Sequence, residues 1–111
     1  MRGMKERIVV AEISVVPIGT GSPGVSEFVA ACIDVLEKRK KVSYRLTPMG
    51  TILQGPLSEI LAAAREMHDV PFLKGAQRVV TTLKIDDRLD KRLTMEGKIK
   101  SVVKRKPETR I

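Results

Sequence analysis

The hydrophobic period of this chain switches back and forth between two residues and about 3.6, the repeats of a strand and of a helix. Residues 8–16, IVVAEISVV, are rich in β-branched side chains and run into Pro17, which predicts a first strand. One of its faces, Val9, Ala11, Ile13 and Val15, is wholly apolar. The other sets Ile8, Val10 and Val16 around Glu12 and Ser14. The glycine-rich loop 19–24 can neither extend a strand nor hold a helix. From Val25 a stripe of Val25, Phe28, Val29, Cys32, Ile33 and Leu36 predicts an amphipathic helix, capped by Ser22 or Ser26, with the basic run 38–41 at its carboxyl end.

Alternation over 42–47, a break at Pro48 and resumption over 51–54 predict two strands joined as a hairpin or bulged ribbon. Ser58 is the expected cap of a second helix that buries Leu57, Ile60, Leu61, Ala64 and Met67, with Phe72 a further candidate for the same face. Pro71 should kink that helix or end its regular part, because it lacks an N–H and crowds the preceding turn. Residues 78–85 predict a fourth strand, Asp86-Asp87-Arg88 a polar turn, and 94–106 a third helix with Met95, Ile99, Val102 and Val103 on one stripe. From Pro107 a loose tail is expected.

This β-α-β-β-α-β order with an additional C-terminal helix matches an α+β, ferredoxin-like antiparallel sheet. A chain of 111 residues has room for one core, so a single domain over 1–111 is expected, its core within about 8–85. In that topology both crossover helices cover one face of the sheet. The largely apolar second face of the first strand then needs another subunit, the C-terminal helix, or both.

Aromatic residues make up only 3% of the chain, so the core must be aliphatic. The balance of 21 Lys and Arg against 13 Asp and Glu gives +8, concentrated at 38–41 and from Lys98 onward, and favours acidic partners or plain solubility. Cys32 is the only cysteine, which excludes an intrachain disulfide and fits a reducing cytoplasm. No stretch approaches the roughly 20 apolar residues of a membrane span, so no membrane partner is expected.

Catalytic equipment is sparse. His68 stands alone, and Cys32 lies on an apolar stripe where a thiol behaves as a small hydrophobe. No nucleophile, base and orienting group fall in register, so no catalytic residue is assigned. Asp86, Asp87 and Asp90 have oxygen ligands for a divalent cation, but Arg88 and Lys91 among them favour local ion pairing, and no metal is expected. The loop Gly19-Thr20-Gly21-Ser22 can offer backbone N–H groups to an anion or simply turn the chain; it lacks the Gly-Lys-Ser/Thr ending of a phosphate loop. The basic C-terminal segment raises an alternative, a nucleic-acid-associated regulatory protein. Sheets that read RNA stack bases on aromatics, however, and the central strands 8–16 and 51–54 have none, so nucleic acid is disfavoured as a partner.

Three separated stretches carry a resemblance: Pro17-Ile18-Gly19-Thr20-Gly21, Leu46-Thr47-Pro48-Met49-Gly50-Thr51, and Lys84-Ile85-Asp86-Asp87-Arg88 followed by Leu93-Thr94-Met95-Glu96-Gly97-Lys98. In order and spacing they resemble the small thiamine-binding protein family. The resemblance implies a ferredoxin-like fold, a homo-oligomer built as a dimer of dimers through sheet packing, and binding of thiamine or hydroxymethylpyrimidine without chemistry or a cofactor. By position it implies ligand contacts from Gly19, Thr20 and Ser22 in the first loop and from Thr47, Met49 and Thr51 in the hairpin. An aminopyrimidine needs a few donors and acceptors, which threonine hydroxyls and backbone supply, and Met49 offers a soft apolar contact. A cationic thiazolium needs a carboxylate. Glu12, on an otherwise apolar face of a central strand, is the candidate, with Lys84 or Arg45 as its alternative partner across the sheet.

Overall fold

The computed structural model describes residues 6–111. Its elements are β1 (Ile8–Ile18), α1 (Ser26–Glu37), β2 (Ser43–Leu46), β3 (Thr51–Pro56), α2 (Leu57–Leu73), β4 (Arg78–Asp86) and α3 (Met95–Arg105). The strands form a four-stranded sheet in the order β2-β3-β1-β4, with every neighbouring pair antiparallel. This is the expected ferredoxin-like arrangement, with the first and third strands central. No helix among the described residues is long and apolar enough to cross a membrane.

The alternation of β1 sets the layers. Val9, Ala11 and Ile13 join Leu53 of β3 on one face, where they meet Cys32 and Leu36 of α1 and Ile60, Ala63, Ala64 and Met67 of α2. Leu53 and Ile60 are fully buried. The core is aliphatic apart from half-buried Tyr44, whose hydroxyl reaches out to donate to the Glu37 carboxylate. The second face carries Val10, Glu12, Ser14 and Val16 of β1, opposite Asp86, Lys84, Thr82 and Val80 of β4.

Several local expectations are corrected. β1 does not stop at Pro17 but continues to Ile18, with Pro17 opposite Val79. Its pairing with β3 ends at Ile13, so beyond that point β1 has a partner on one side only and tolerates a residue without an N–H. Neither Ser22 nor Ser26 caps α1. Val25 holds that position without a side-chain bond, and the Ser22 hydroxyl instead accepts the Gly24 N–H inside the loop. Ser58 does not cap α2 either, because the helix starts directly after Pro56 and places it in the first turn. Its N–H and hydroxyl both donate to Glu6 Oε1, at 2.9 and 2.8 Å, a carboxylate delivered by the pairing of Ile8 with Pro56. Thr94 does cap α3, accepting the Gly97 N–H at 2.9 Å.

α2 runs two residues past Pro71. A proline in a helix leaves the carbonyl four residues back without its donor. Here that carbonyl belongs to Met67, and the Cys32 thiol of α1 donates to it at 3.5 Å. Burial pushes the thiol up to about 11 from its ordinary 9.0. Between those values the unfolded chain has lost a proton that the folded chain keeps, so stability falls as pH rises through that window. Denaturation at pH 8 and pH 10 is expected to show this loss, and Cys32→Ala to show less of it. An identical pH dependence in the variant would remove the thiol from the account.

Candidate functional site

Glu12 lies at the middle of β1 on the second face, between Ile52 of β3 and Lys84 of β4. Its carboxylate is 3.7 Å from Lys84 Nζ, and both side chains are open to solvent. Arg45, the other partner considered, pairs with Glu96 of α3 instead. Val10, Glu12, Ile52, Lys84, Asp86 and Lys98 line a cleft of about 490 Å³. Ile52, Val10 and the strand backbone form its apolar walls, and two carboxylates face two ammonium groups across it.

α3 closes one side of this cleft. Gln54 Oε1 accepts the Met95 N–H at 2.8 Å, Arg45 pairs with Glu96, and Lys98 pairs with Asp86. The helix is thus tethered by polar contacts, and none of its own residues is buried. Val10 beneath this end of the sheet is 7% exposed, so the C-terminal segment gives the second face part of the cover it needs.

The hairpin abuts Glu12. A Cβ built on Gly50 would lie 3.1 Å from the Ile13 carbonyl oxygen and 3.4 Å from Glu12 Cγ, so glycine lets the turn approach β1 this closely. Thr47 is spent inside the turn: its hydroxyl donates to the Gly50 carbonyl at 2.7 Å and accepts the Gly50 N–H at 3.1 Å. Met49 stands out at the tip, 86% exposed. Thr51 is buried and pairs with Ile13, on the face of the sheet that packs against the helices.

The first loop lies elsewhere. Gly19 follows the end of β1, about six residues beyond Ile13, which at ~3.3 Å per residue is about 20 Å away. Gly19 and Gly21 have positive φ of 75° and 83°, and the Thr20 hydroxyl donates to the Ser22 carbonyl at 3.0 Å. Gly19, Thr20 and Ser22 line an end cleft of about 750 Å³ together with Phe28, Lys74 and Arg78. The residues expected to act together are therefore divided. Gly50 of the hairpin abuts Glu12, but none of Thr47, Met49 and Thr51 lines the Glu12 cleft, and the loop belongs to another cleft. Asp86 and Lys98 were not anticipated as cleft residues. Strand alternation from Lys84 signals Asp86, but only the placement of α3 brings in Lys98.

The other candidates have local partners. His68 Nδ1 lies 2.7 Å from Thr81 Oγ1, and its ring meets Phe72 edge to face at 5.7 Å. Asp86, Asp87 and Asp90 pair with Lys98, Arg7 and Arg88 respectively. Among the described residues no group of His, Cys, Asp and Glu converges as a metal site would.

An antiparallel β-α-β-β-α-β sheet with a polar-tethered third helix across its open face places the chain among small ferredoxin-like α+β proteins. Within that class it belongs to the thiamine-binding protein family, whose model matches residues 11–103. It is 45% identical over 98 residues to the UPF0045 protein YqgV of Bacillus subtilis, covering 86% of this chain and 94% of that one. The solved structure of MJ1052 from Methanocaldococcus jannaschii superposes with a TM-score of 0.79 at 43% identity, over 86% of this chain and 96% of that one. A Thermotoga maritima structure named for thiamine biosynthesis/salvage superposes with a TM-score of 0.66 at 26% identity, over 86% of this chain and 98% of that one.

Proposed function

We propose that the protein binds thiamine or its hydroxymethylpyrimidine portion without catalysis, as a cytoplasmic homo-oligomer serving as carrier, buffer or sensor. Glu12 carries the reading: a solvent-reachable carboxylate set among apolar walls is what a flat, cationic, heteroaromatic ligand requires. Its present partner is easily displaced. Lys84 is 80% exposed and 3.7 Å away, and exposed pairs of this kind contribute only about 0–1 kcal/mol. A thiazolium can take the place of Lys84 with its ring against Val10 and Ile52. The hairpin backbone at Gly50 borders Glu12. The family's name and that of the Thermotoga maritima relative support the choice of ligand.

The oligomer is read from the far end of the same face. Val16 stands opposite Val80, and with Ile18 they are 38%, 47% and 41% exposed, an apolar patch suited to a second copy of the chain. A partner seated there, and a further pairing of dimers, would leave the Glu12 end accessible.

Titration calorimetry with thiamine and hydroxymethylpyrimidine tests the reading, with binding expected for at least one. No heat and no thermal shift with either at millimolar concentration would overturn it. Light scattering on the same sample tests the assembly, for which a mass above that of one chain is expected.

A further inference from the structure

The Glu12 cleft does not end at α3. Asp86 and Lys98, which pair with each other, line it and also line a second cleft of about 570 Å³ between the segment 86–94 and α3. The two spaces meet at that ion pair. Arg88, Lys91, Arg92 and Lys98 all line the second cleft, and Asp86 is the only acid that does. Asp90 compensates Arg88, and Asp86 compensates Lys98. Lys91 and Arg92 are exposed and make no salt bridge among the described residues. The cleft holding Glu12 therefore adjoins one in which cations outnumber acids.

We propose that the two clefts form one bipartite site for a phosphorylated thiamine. The inference rests on the reading of the Glu12 cleft as the thiamine site and adds which form of the ligand it takes. The ring system occupies the Glu12 side, and the phosphate groups lie between Arg92, Lys91 and Lys98. A guanidinium presents paired donors that match phosphate oxygens, and an ammonium supplies a point charge. Ser101, on the same wall, adds a hydroxyl. The Asp86–Lys98 pair marks the junction: as Lys98 turns to phosphate, Asp86 is released toward the cationic ring. This arrangement also agrees in sign with the net charge of +8, to which Lys91, Arg92 and Lys98 contribute. That charge opposes capture of a bare cation but favours a ligand whose phosphate charge outweighs the charge of its ring.

Calorimetry on the full chain at low ionic strength, with thiamine, thiamine diphosphate and inorganic pyrophosphate in parallel, tests the inference. The diphosphate is expected to bind at least about tenfold more tightly than thiamine, a difference of about 1.4 kcal/mol. The double variant Lys91→Gln/Arg92→Gln should bring that ratio close to unity. Lys100→Gln/Lys104→Gln removes the same formal charge outside the cleft and should preserve it. Equal affinities for thiamine and its diphosphate in the native protein would overturn the inference and leave the Glu12 reading standing. A ratio that survives in Lys91→Gln/Arg92→Gln would overturn the placement of the phosphates. Pyrophosphate binding as tightly as the diphosphate would overturn the bipartite site, since the ring would then contribute nothing. Binding of neither thiamine form would overturn the inference, and the underlying reading falls with it when hydroxymethylpyrimidine fails to bind as well.

Discussion

Glu12→Lys is expected to weaken thiamine binding at least about a hundredfold while leaving thermal stability close to that of the native protein. The two halves of this expectation have separate causes. Glu12 lies on the open face of the sheet with a 41% exposed side chain, and its only salt bridge among the described residues is the long one to exposed Lys84, so the core does not depend on it. The cleft, by contrast, already holds Lys84 and Lys98. A third ammonium would replace attraction for a cationic ring with repulsion, and like charge at a binding site costs several kcal/mol. Glu12→Gln keeps the shape and removes only the charge, so its loss should be smaller, about tenfold. Calorimetry reads both. If Glu12→Lys bound thiamine as the native chain does, the ligand would have to lie elsewhere, and the end cleft beside Gly19, Thr20 and Ser22 would be the next place to test.

Gly55→Ala is expected to be the most damaging small substitution in the sheet. A Cβ at this position would sit 2.6 Å from the Lys41 carbonyl oxygen and 3.4 Å from the Val42 Cα. Both are backbone atoms and cannot rotate away. Either the segment entering β2 moves outward or β3 bends from its pairing with β1, where Gly55 faces Val9. Overpacking of this kind costs about 1–3 kcal/mol and sometimes more, against a total stability of about 5–15 kcal/mol for a domain. At about 4–8 °C per kcal/mol, a fall in Tm of about 4–24 °C should appear in a thermal melt. A melt unchanged from the native protein would mean that the backbones do not approach this closely.

Gly55 also illustrates what is legible in a sequence. Read along the chain, Gly55-Pro56 marks the end of a strand. In the fold the strand continues through it, and the glycine is required by a crossing with residues 41–42. The strand and helix order needed no such information, since each element announces itself by its own period. Helix caps did need it: the acceptor for Ser58 is Glu6, reached across the β1–β3 pairing. The same division holds at the site. Glu12 was legible because an acid on an apolar strand face is conspicuous, and Lys84 because register carries it to the same face. Motifs along a chain give order but no distances, so the separation of the 19–22 loop from the hairpin was not legible. Nor was the arrival of Lys98 beside Glu12, which depends on where α3 comes to rest.

The manner in which α3 rests on the sheet has a wider consequence. Its polar attachments run through Gln54, Glu96 and Lys98, its apolar Met95, Ile99 and Val103 are only half-buried, and none of its residues belongs to the cluster of side chains that holds the rest together. Changes at its exposed positions can therefore accumulate without threatening the core. On the reading proposed for the Glu12 cleft, exposed positions of this one surface helix can alter what is bound at little cost to the core.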